Sequence, residues 1–526
     1  MCEVNTRHTH LVKVHDLSIA FPGVRNPDPV PVVKNIEFGI RDGEILGLIG
    51  NSGSGKTMTA MAIAGLLPDS ARIISGRISF AGENLLTMNR RRRRMMLGSD
   101  IGVIFQEPST ALDPLCKVGK SLDEILECHG NKDRADRRAK ILAILSMVGF
   151  TDPEDIYIRY PHQLSGGQRQ RVLIAGAALL SPKLLICDEP SSSLDTVTTV
   201  AILALLKDIC HRLHMTVLFI SHDLSAVRNF CDRVIVMRGG EIVDRDSAEE
   251  MLSHPHSGYT AELLTNARLD PRTLGLTRAS VDYSSSPILT ARHLAARYDN
   301  SAKTVLSDIN LDIYPHEILG LIGSSGCGKT TLSKTVLGLI PHTGSITCTG
   351  GRIGAVFQDP VSCLNPAHSV MWHLKEPLIA ARKRMSSRDM KIRIEKALTD
   401  VGLGSEYLTR LPSALSGGQR QRVAIAMCLI LEPFVIMADE PFSSLDASSA
   451  SEILKLLTRI NREKGTSIVL ITHNIHIVRQ ICPRVIVMDR GSVCEEGLTS
   501  EVLQNPQSEA LCNLLNAERR LHGDNH

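Results

Sequence analysis

Glu44-Ile-Leu-Gly-Leu-Ile-Gly50-Asn51-Ser52-Gly53-Ser54-Gly55-Lys56-Thr57 decides the fold of this chain. Its first half is a short apolar run, which suits a buried strand. Its second half fits G-x-x-x-x-G-K-[ST], and a helical pattern follows. A strand that turns through glycines into a helix brings backbone N–H groups to one point, where they cradle phosphate oxygens. In that setting Lys56 reaches the β- and γ-phosphates and Thr57 suits a Mg²⁺ ion.

The stretch recurs as Glu317-Ile-Leu-Gly-Leu-Ile-Gly323-Ser324-Ser325-Gly326-Cys327-Gly328-Lys329-Thr330. Three later features recur as well: Leu164–Gln168 as Leu415–Gln419, Asp188-Glu189 as Asp439-Glu440, and His222 as His473. The phosphate-loop pair is 273 positions apart and the later pairs 251, so the second half is shorter between its loop and the later motifs. A period of this size means a duplicated domain rather than a solenoid. At 526 residues the chain suits two domains. We expect them over 10–265 and 287–520, with a Pro/Ser-containing linker over 266–286.

Apolar residues make up 43% and charged residues 22%, as in an ordinary globular protein. A net charge of +3 is too small to argue for nucleic acid as a partner. No apolar run is long enough to span a bilayer. Met1–His10 is polar, so no secretory signal is expected. The 13 cysteines form no C-x-x-C pair and read as reduced thiols. His8, His10 and His15 are irregularly spaced and lead into a strand, so they do not read as a metal site.

Within each half, runs such as Ile45–Ile49, Leu184–Cys187 and Val217–Ile220 alternate with helical patterns. This predicts an α/β fold with a mainly parallel sheet. Segments near Val118–Val148 and Val370–Val401 read as helical insertions. Asp188 and Asp439, at strand ends, suit a Mg²⁺ shell. Glu189 and Glu440 suit a general base that polarises an attacking water. Ser165-Gly166-Gly167-Gln168 has capping-box spacing, so Ser165 N-caps a helix through roughly Leu180 and the glycines expose N–H groups to a phosphate. Ser416-Gly417-Gly418-Gln419 repeats it. His222 and His473 each lie 33 residues after the glutamate, and their recurrence points to a γ-phosphate contact.

In order, each half carries a phosphate loop, a glutamine (Gln106, Gln358), Leu-Ser-Gly-Gly-Gln, Asp-Glu, Ser-Leu-Asp (Ser193–Asp195, Ser444–Asp446) and a histidine. The chain resembles two ATP-binding-cassette (ABC) nucleotide-binding domains fused in tandem. The resemblance implies two P-loop NTPase domains, each a mainly parallel core sheet with an antiparallel β subdomain and a helical subdomain. It implies ATP and Mg²⁺ as cofactors, Gln106 and Gln358 near the metal, and a head-to-tail sandwich in which each pentapeptide closes the other half's ATP site. The family's adenine-stacking aromatic maps onto Phe21 and Tyr298.

Gln106-Glu-Pro-Ser-Thr-Ala-Leu-Asp-Pro114 and Gln358-Asp-Pro-Val-Ser-Cys-Leu-Asn-Pro366 are similar to the glutamine loops of bacterial peptide/nickel-type importer ATPases. So are Tyr160-Pro-His-Gln163 and His254-Pro-His-Ser-Gly-Tyr-Thr260. This implies an ATPase that energises import of peptide, nickel or a metal chelate. Its partners would be two membrane-spanning permease subunits and, indirectly, a substrate-binding protein. It would sit peripherally on the cytoplasmic face of the inner membrane. The alternative is a twin-cassette ATPase without a membrane partner that acts on ribosomes as a translation factor; the short linker and the glutamine loops speak against it.

Two features differ between the halves. Arg90–Arg94 reads as a solvated basic face, with contact to anionic lipid headgroups or an acidic loop as the alternative. Cys327 lies inside a phosphate loop and reads as a small residue tolerated between two glycines, with a thiolate favoured by the helix N-terminus, open to alkylation that ATP blocks, as the alternative.

Overall fold

The computed structural model describes residues 10–22, 29–105, 111–191, 194–268, 281–298, 304–381, 385–443 and 445–522. The chain forms two compact units that part between Leu264 and Thr265. Residues 269–280, within the expected linker, lie outside the described residues.

The first unit is built on a six-stranded sheet. Its order is Glu241–Ser247, Arg233–Arg238, Ile45–Ile49, Thr216–Ile220, Leu184–Asp188, Ile101–Ile104. All neighbours are parallel except the hairpin at one edge, Arg233–Arg238 with Glu241–Ser247, which is antiparallel. Ile45–Ile49, Leu184–Asp188 and Thr216–Ile220 are buried at every position. That is why they read as continuous apolar runs: helices and a second sheet cover the two faces. Ile45–Ile49 lies inside the parallel part of this sheet, and open sheets of this kind take ligands outside the carboxyl ends of their strands. The phosphate-loop pattern falls there.

A four-stranded antiparallel sheet, ordered Val30–Arg41, His10–Phe21, Arg72–Phe80, Glu83–Asn84, packs on this core. Leu17, Ile19 and Ile36 of this sheet share one apolar cluster with Leu46, Leu48 and Ile186 of the other, and with Ala60 and Ile63 of the intervening helix. The expected helical insertion is Val118–Cys128, Arg134–Met147 and Pro153–Ile158. Asp133 and Asp152 N-cap the last two. Arg137 joins the first two through a two-pronged contact to Asp123, at 2.7 and 3.0 Å.

The second unit repeats this plan. Its six-stranded sheet runs Ile353–Val356, Val435–Asp439, Ser467–Ile471, Ile318–Gly323, Arg484–Asp489, Ser492–Leu498. Only the last pair is antiparallel. Its antiparallel sheet has three strands, Thr304–Ile313, Leu289–Arg297 and His342–Cys348. Val370–Ala380 and Ser387–Asp400 form its helical insertion.

The units differ where the second is shorter. Phe80 and Ile101 are separated by the strand Glu83–Asn84 and the helix Arg90–Ser99, whereas Cys348 is followed almost directly by Ile353. Asn89 caps that helix by accepting from Arg92 N. The five arginines are not one uniform face. Arg92 pairs with Glu83 at 2.6 Å, while Arg93 turns inward and donates to the Ala62 carbonyl at 3.1 Å. Arg90, Arg91 and Arg94 remain exposed.

Candidate functional site

In each unit the phosphate loop leaves a strand whose root is locked by a buried ion pair. Glu44 meets Arg233 at 2.8 Å, and Glu317 meets Arg484 at 2.8 Å. This explains why both repeats open with glutamate. The loop then turns at Gly50 and Gly323, where an added Cβ would lie 2.2 and 2.3 Å from the Met237 and Met488 carbonyl oxygens. Gly55 and Gly328 N-cap the following helices, Lys56–Ala64 and Lys329–Val336, at φ +99° and +109°. Only glycine meets both demands at little cost.

Lys56 and Lys329 are buried within their loops. Lys56 Nζ donates to the carbonyls of Gly50 at 2.8 Å and Asn51 at 2.9 Å, and to Ser54 Oγ at 3.3 Å. Lys329 Nζ donates to Gly323 O at 2.8 Å and Ser324 O at 2.9 Å, and contacts Cys327 Sγ at 3.7 Å. Cys327 therefore takes the place of Ser54 beneath the ammonium. This speaks against the alternative of a thiolate there: the thiol is buried, and this desolvation raises its pKa despite the nearby Lys329.

Behind each loop stands the acidic strand end. Thr57 Oγ1 donates to Asp188 Oδ1 at 3.4 Å. Burial, with the neighbouring Glu189 charge, pushes the Asp188 carboxyl up to about 6, against the Thr57 hydrogen bond and Lys56. Asp439 is raised for the same first reason, burial, opposed by Thr330. Asp439 Oδ1 is buried without a hydrogen-bond partner. A buried, orphaned carboxylate oxygen beside a threonine is a hard oxygen donor set and fits a divalent cation.

Glu189 and Glu440 sit in the left-handed region, at φ +49° and +45°. A non-glycine residue there is strained, and such strain concentrates at functional positions. Each backbone N–H is held by the adjoining strand, Glu189 N to Ile220 O at 2.9 Å and Glu440 N to Ile471 O at 2.9 Å. Each carboxylate faces its histidine: Glu189 Oε1 to His222 Nδ1 at 3.0 Å, and Glu440 Oε1 to His473 Nδ1 at 3.3 Å. Burial lowers the affinity of both imidazoles for a proton, but the paired glutamate outweighs it and their pKa values are raised. Burial works against ionised Glu440, and His473 reverses this, so its pKa is lowered. Each histidine is thus tied first to the glutamate.

Gln358 Nε2 donates to Glu440 Oε2 at 3.1 Å. Gln106, Ser193 and Ser444 lie outside the described residues. The capping boxes form as spelled: Ser165 Oγ accepts from Gln168 N and Ser416 Oγ from Gln419 N, each at 3.3 Å. Each serine N–H in turn donates to the glutamine Oε1 at 3.0 Å. The helices they start are Gly166–Ala178 and Gly417–Leu429. Tyr298 lies beside the second phosphate-loop helix, its hydroxyl 3.3 Å from Thr331 Oγ1. Phe21 ends the strand His10–Phe21 and is half-buried.

Sequence reasoning missed one contact. Asn51 N–H donates to the hydroxyl of Tyr259 at 3.1 Å. Tyr259 was noted only within His254–Thr260, and 208 positions separate the two residues. Nothing in the spacing could pair them.

Comparison with known proteins accords with this geometry. Residues 33–192 and 306–443 match the family model described as ABC transporter. The chain is 37% identical to the peptidoglycan transport ATP-binding protein YejF of Agrobacterium fabrum, over 97% of this chain and 96% of that protein. It is 34% identical to the glutathione import ATP-binding protein GsiA of Pectobacterium atrosepticum, over 94% of this chain and 88% of that one. It also resembles the dimeric structure of a bacterial ABC transporter cassette, at 26% identity and a TM-score of 0.41, over 45% of this chain and 98% of that one. With the family matched in both halves and relatives aligned almost end to end, the chain belongs to the ABC transporter family, as an ATP-binding ATPase with two cassettes in tandem.

Proposed function

We propose that this ATPase energises import of small peptide-containing cargo, and that both of its cassettes hydrolyse ATP. The observation that carries the two-site reading is the same cluster in each unit: a loop-bound lysine, a threonine beside a buried aspartate, and a glutamate on a histidine. Relatives named for peptidoglycan transport and for glutathione import support the cargo class. They favour an importer over a ribosome-acting factor, and a peptide-type cargo over nickel or a metal chelate.

In this reading Lys56 and Lys329 exchange the loop carbonyls for phosphate oxygens of ATP, and the loop residues 50–57 and 323–330 wrap them with N–H groups. Ser165–Gly167 and Ser416–Gly418 offer further N–H groups to phosphate at helix N-termini. Phe21 and Tyr298 stack on adenine. Glu189 and Glu440 accept the proton of the attacking water, and their strained backbone aims the carboxylate. His222 and His473 orient that carboxylate and carry positive charge towards the γ-phosphate. Thr57, Asp188 and Gln106 in one unit, and Thr330, Asp439 and Gln358 in the other, would hold Mg²⁺. When bound, the ion supplies positive charge against the phosphate oxygens. Gln358 donates its amide N–H to Glu440, which leaves its carbonyl oxygen for coordination.

Among the described residues no helix is long and apolar enough to cross a membrane. The proposed partners are therefore two membrane-spanning permeases, served by a substrate-binding protein, with this chain on their cytoplasmic side. Reconstitution of the chain in proteoliposomes with the permeases and binding protein it is proposed to serve tests the reading. ATP-dependent uptake of labelled glutathione or peptidoglycan fragments is expected; uptake of nickel but of neither peptide cargo would overturn the cargo class.

A further inference from the structure

We propose that Tyr259 is a positioning residue for the Lys56 site: its hydroxyl fixes the entry of the first phosphate loop, a support the second loop lacks. The proposal rests on the reading of residues 50–57 as a nucleotide site.

Asn51 is held from both ends. Its carbonyl accepts from Lys56 Nζ at 2.9 Å, and its N–H donates to Tyr259 Oη at 3.1 Å. Tyr259 thus acts on the residue that parks the phosphate-binding ammonium. The tyrosine itself is doubly anchored. The Arg238 guanidinium lies over its ring at 4.7 Å. Its helix, Gly258–Arg268, is pinned at the start by buried Asp244, which accepts from Ser257 N at 3.0 Å and Thr260 Oγ1 at 2.8 Å. Arg238 in turn ends the strand Arg233–Arg238, beside the one that carries the loop. Ring, helix start and loop therefore form one rigid chain of contacts.

The second unit has the same scaffold without the tyrosine. Ser508 N donates to Glu495 Oε2 at 3.1 Å, the equivalent of Ser257 and Asp244 shifted by 251 positions. The same shift puts Ala510 where Tyr259 stands and Asp489 where Arg238 stands. A methyl group accepts no hydrogen bond, and a carboxylate is not attracted to a ring face. The two loops therefore share phosphate-binding residues but not the support of the residue after the first glycine.

The test uses the full chain and a fluorescent ATP analogue. Tyr259→Phe keeps the ring and the Arg238 contact and removes only the hydroxyl. With the second site silenced by Lys329→Ala, Tyr259→Phe should weaken binding about two- to tenfold, the range of one net hydrogen bond. With the first site silenced by Lys56→Ala, the same substitution should leave binding unchanged. Unchanged affinity at the Lys56 site, or equal weakening at both sites, overturns the proposal while the nucleotide reading stands. Failure of the Lys329→Ala chain to bind the analogue at all overturns both.

Discussion

The two cassettes carry the same candidate groups on unequal supports. Lysine, threonine, aspartate, glutamate and histidine recur at matching places, down to the left-handed backbone of Glu189 and Glu440. Their surroundings diverge. Ser54 supports Lys56 where Cys327 supports Lys329, Tyr259 braces one loop only, and one unit alone carries the arginine helix. Groups that touch the nucleotide have few chemical substitutes. A brace, a loop-filling side chain or a surface helix can differ as long as the loop keeps its shape.

The sharpest way to break the comparison is to disable each glutamate in turn. Glu189→Gln and Glu440→Gln together should lower ATP turnover by at least about a hundredfold, the lower range for a general base. Each single substitution should also lower it sharply. A single variant with wild-type turnover would show that its cassette does not contribute, and the chemical equivalence would fall.

A smaller effect comes from pH. Asp188 titrates at about 6 in the folded chain because it is buried. Its pKa is raised, so the ionised form is the disfavoured one. Its contribution makes the fold less stable as pH rises from about 4 to about 6 and is constant above that. If Asp188 holds Mg²⁺ as proposed, nucleotide binding needs the ionised form, so in the Lys329→Ala chain it should strengthen about tenfold between about pH 5 and pH 6.5, then level off. Asp188→Asn should bind more weakly, without that rise. A flat profile for Asp188 itself would separate it from the cation.

The smallest effect concerns the helix found in one unit. Arg93→Ala removes a half-buried guanidinium bonded to Ala62 and should destabilise the chain by about 1–3 kcal/mol in denaturant unfolding. Arg91→Ala, on the exposed side, should stay within about 0.5 kcal/mol. Equal effects would mean that the arginines act as one face after all.

Much of this was readable from residue order. Ile45–Ile49 and Ile318–Gly323 read as buried strands because a strand covered on both faces needs apolar residues throughout. The capping boxes at Ser165 and Ser416 were spelled out because a cap is a contact over three positions. Cys327 read as a small residue between two glycines, and it is a buried one; the pattern left a thiolate open because it could not reveal that the thiol lies buried under Lys329. The histidines read as γ-phosphate contacts, and the fold adds a partner that the spacing did not reveal, setting each against its glutamate.

By itself the sequence determined the duplication, the α/β class and the recurring candidate groups, since these rest on local periodicity, turn chemistry and recurrence. Only the tertiary structure decided which side chains support them. Arg233 reaching Glu44, Tyr259 reaching Asn51 and Arg93 turning in to Ala62 join residues 31 to 208 positions apart. Such contacts depend on how strands and helices pack, and no short-range pattern records them.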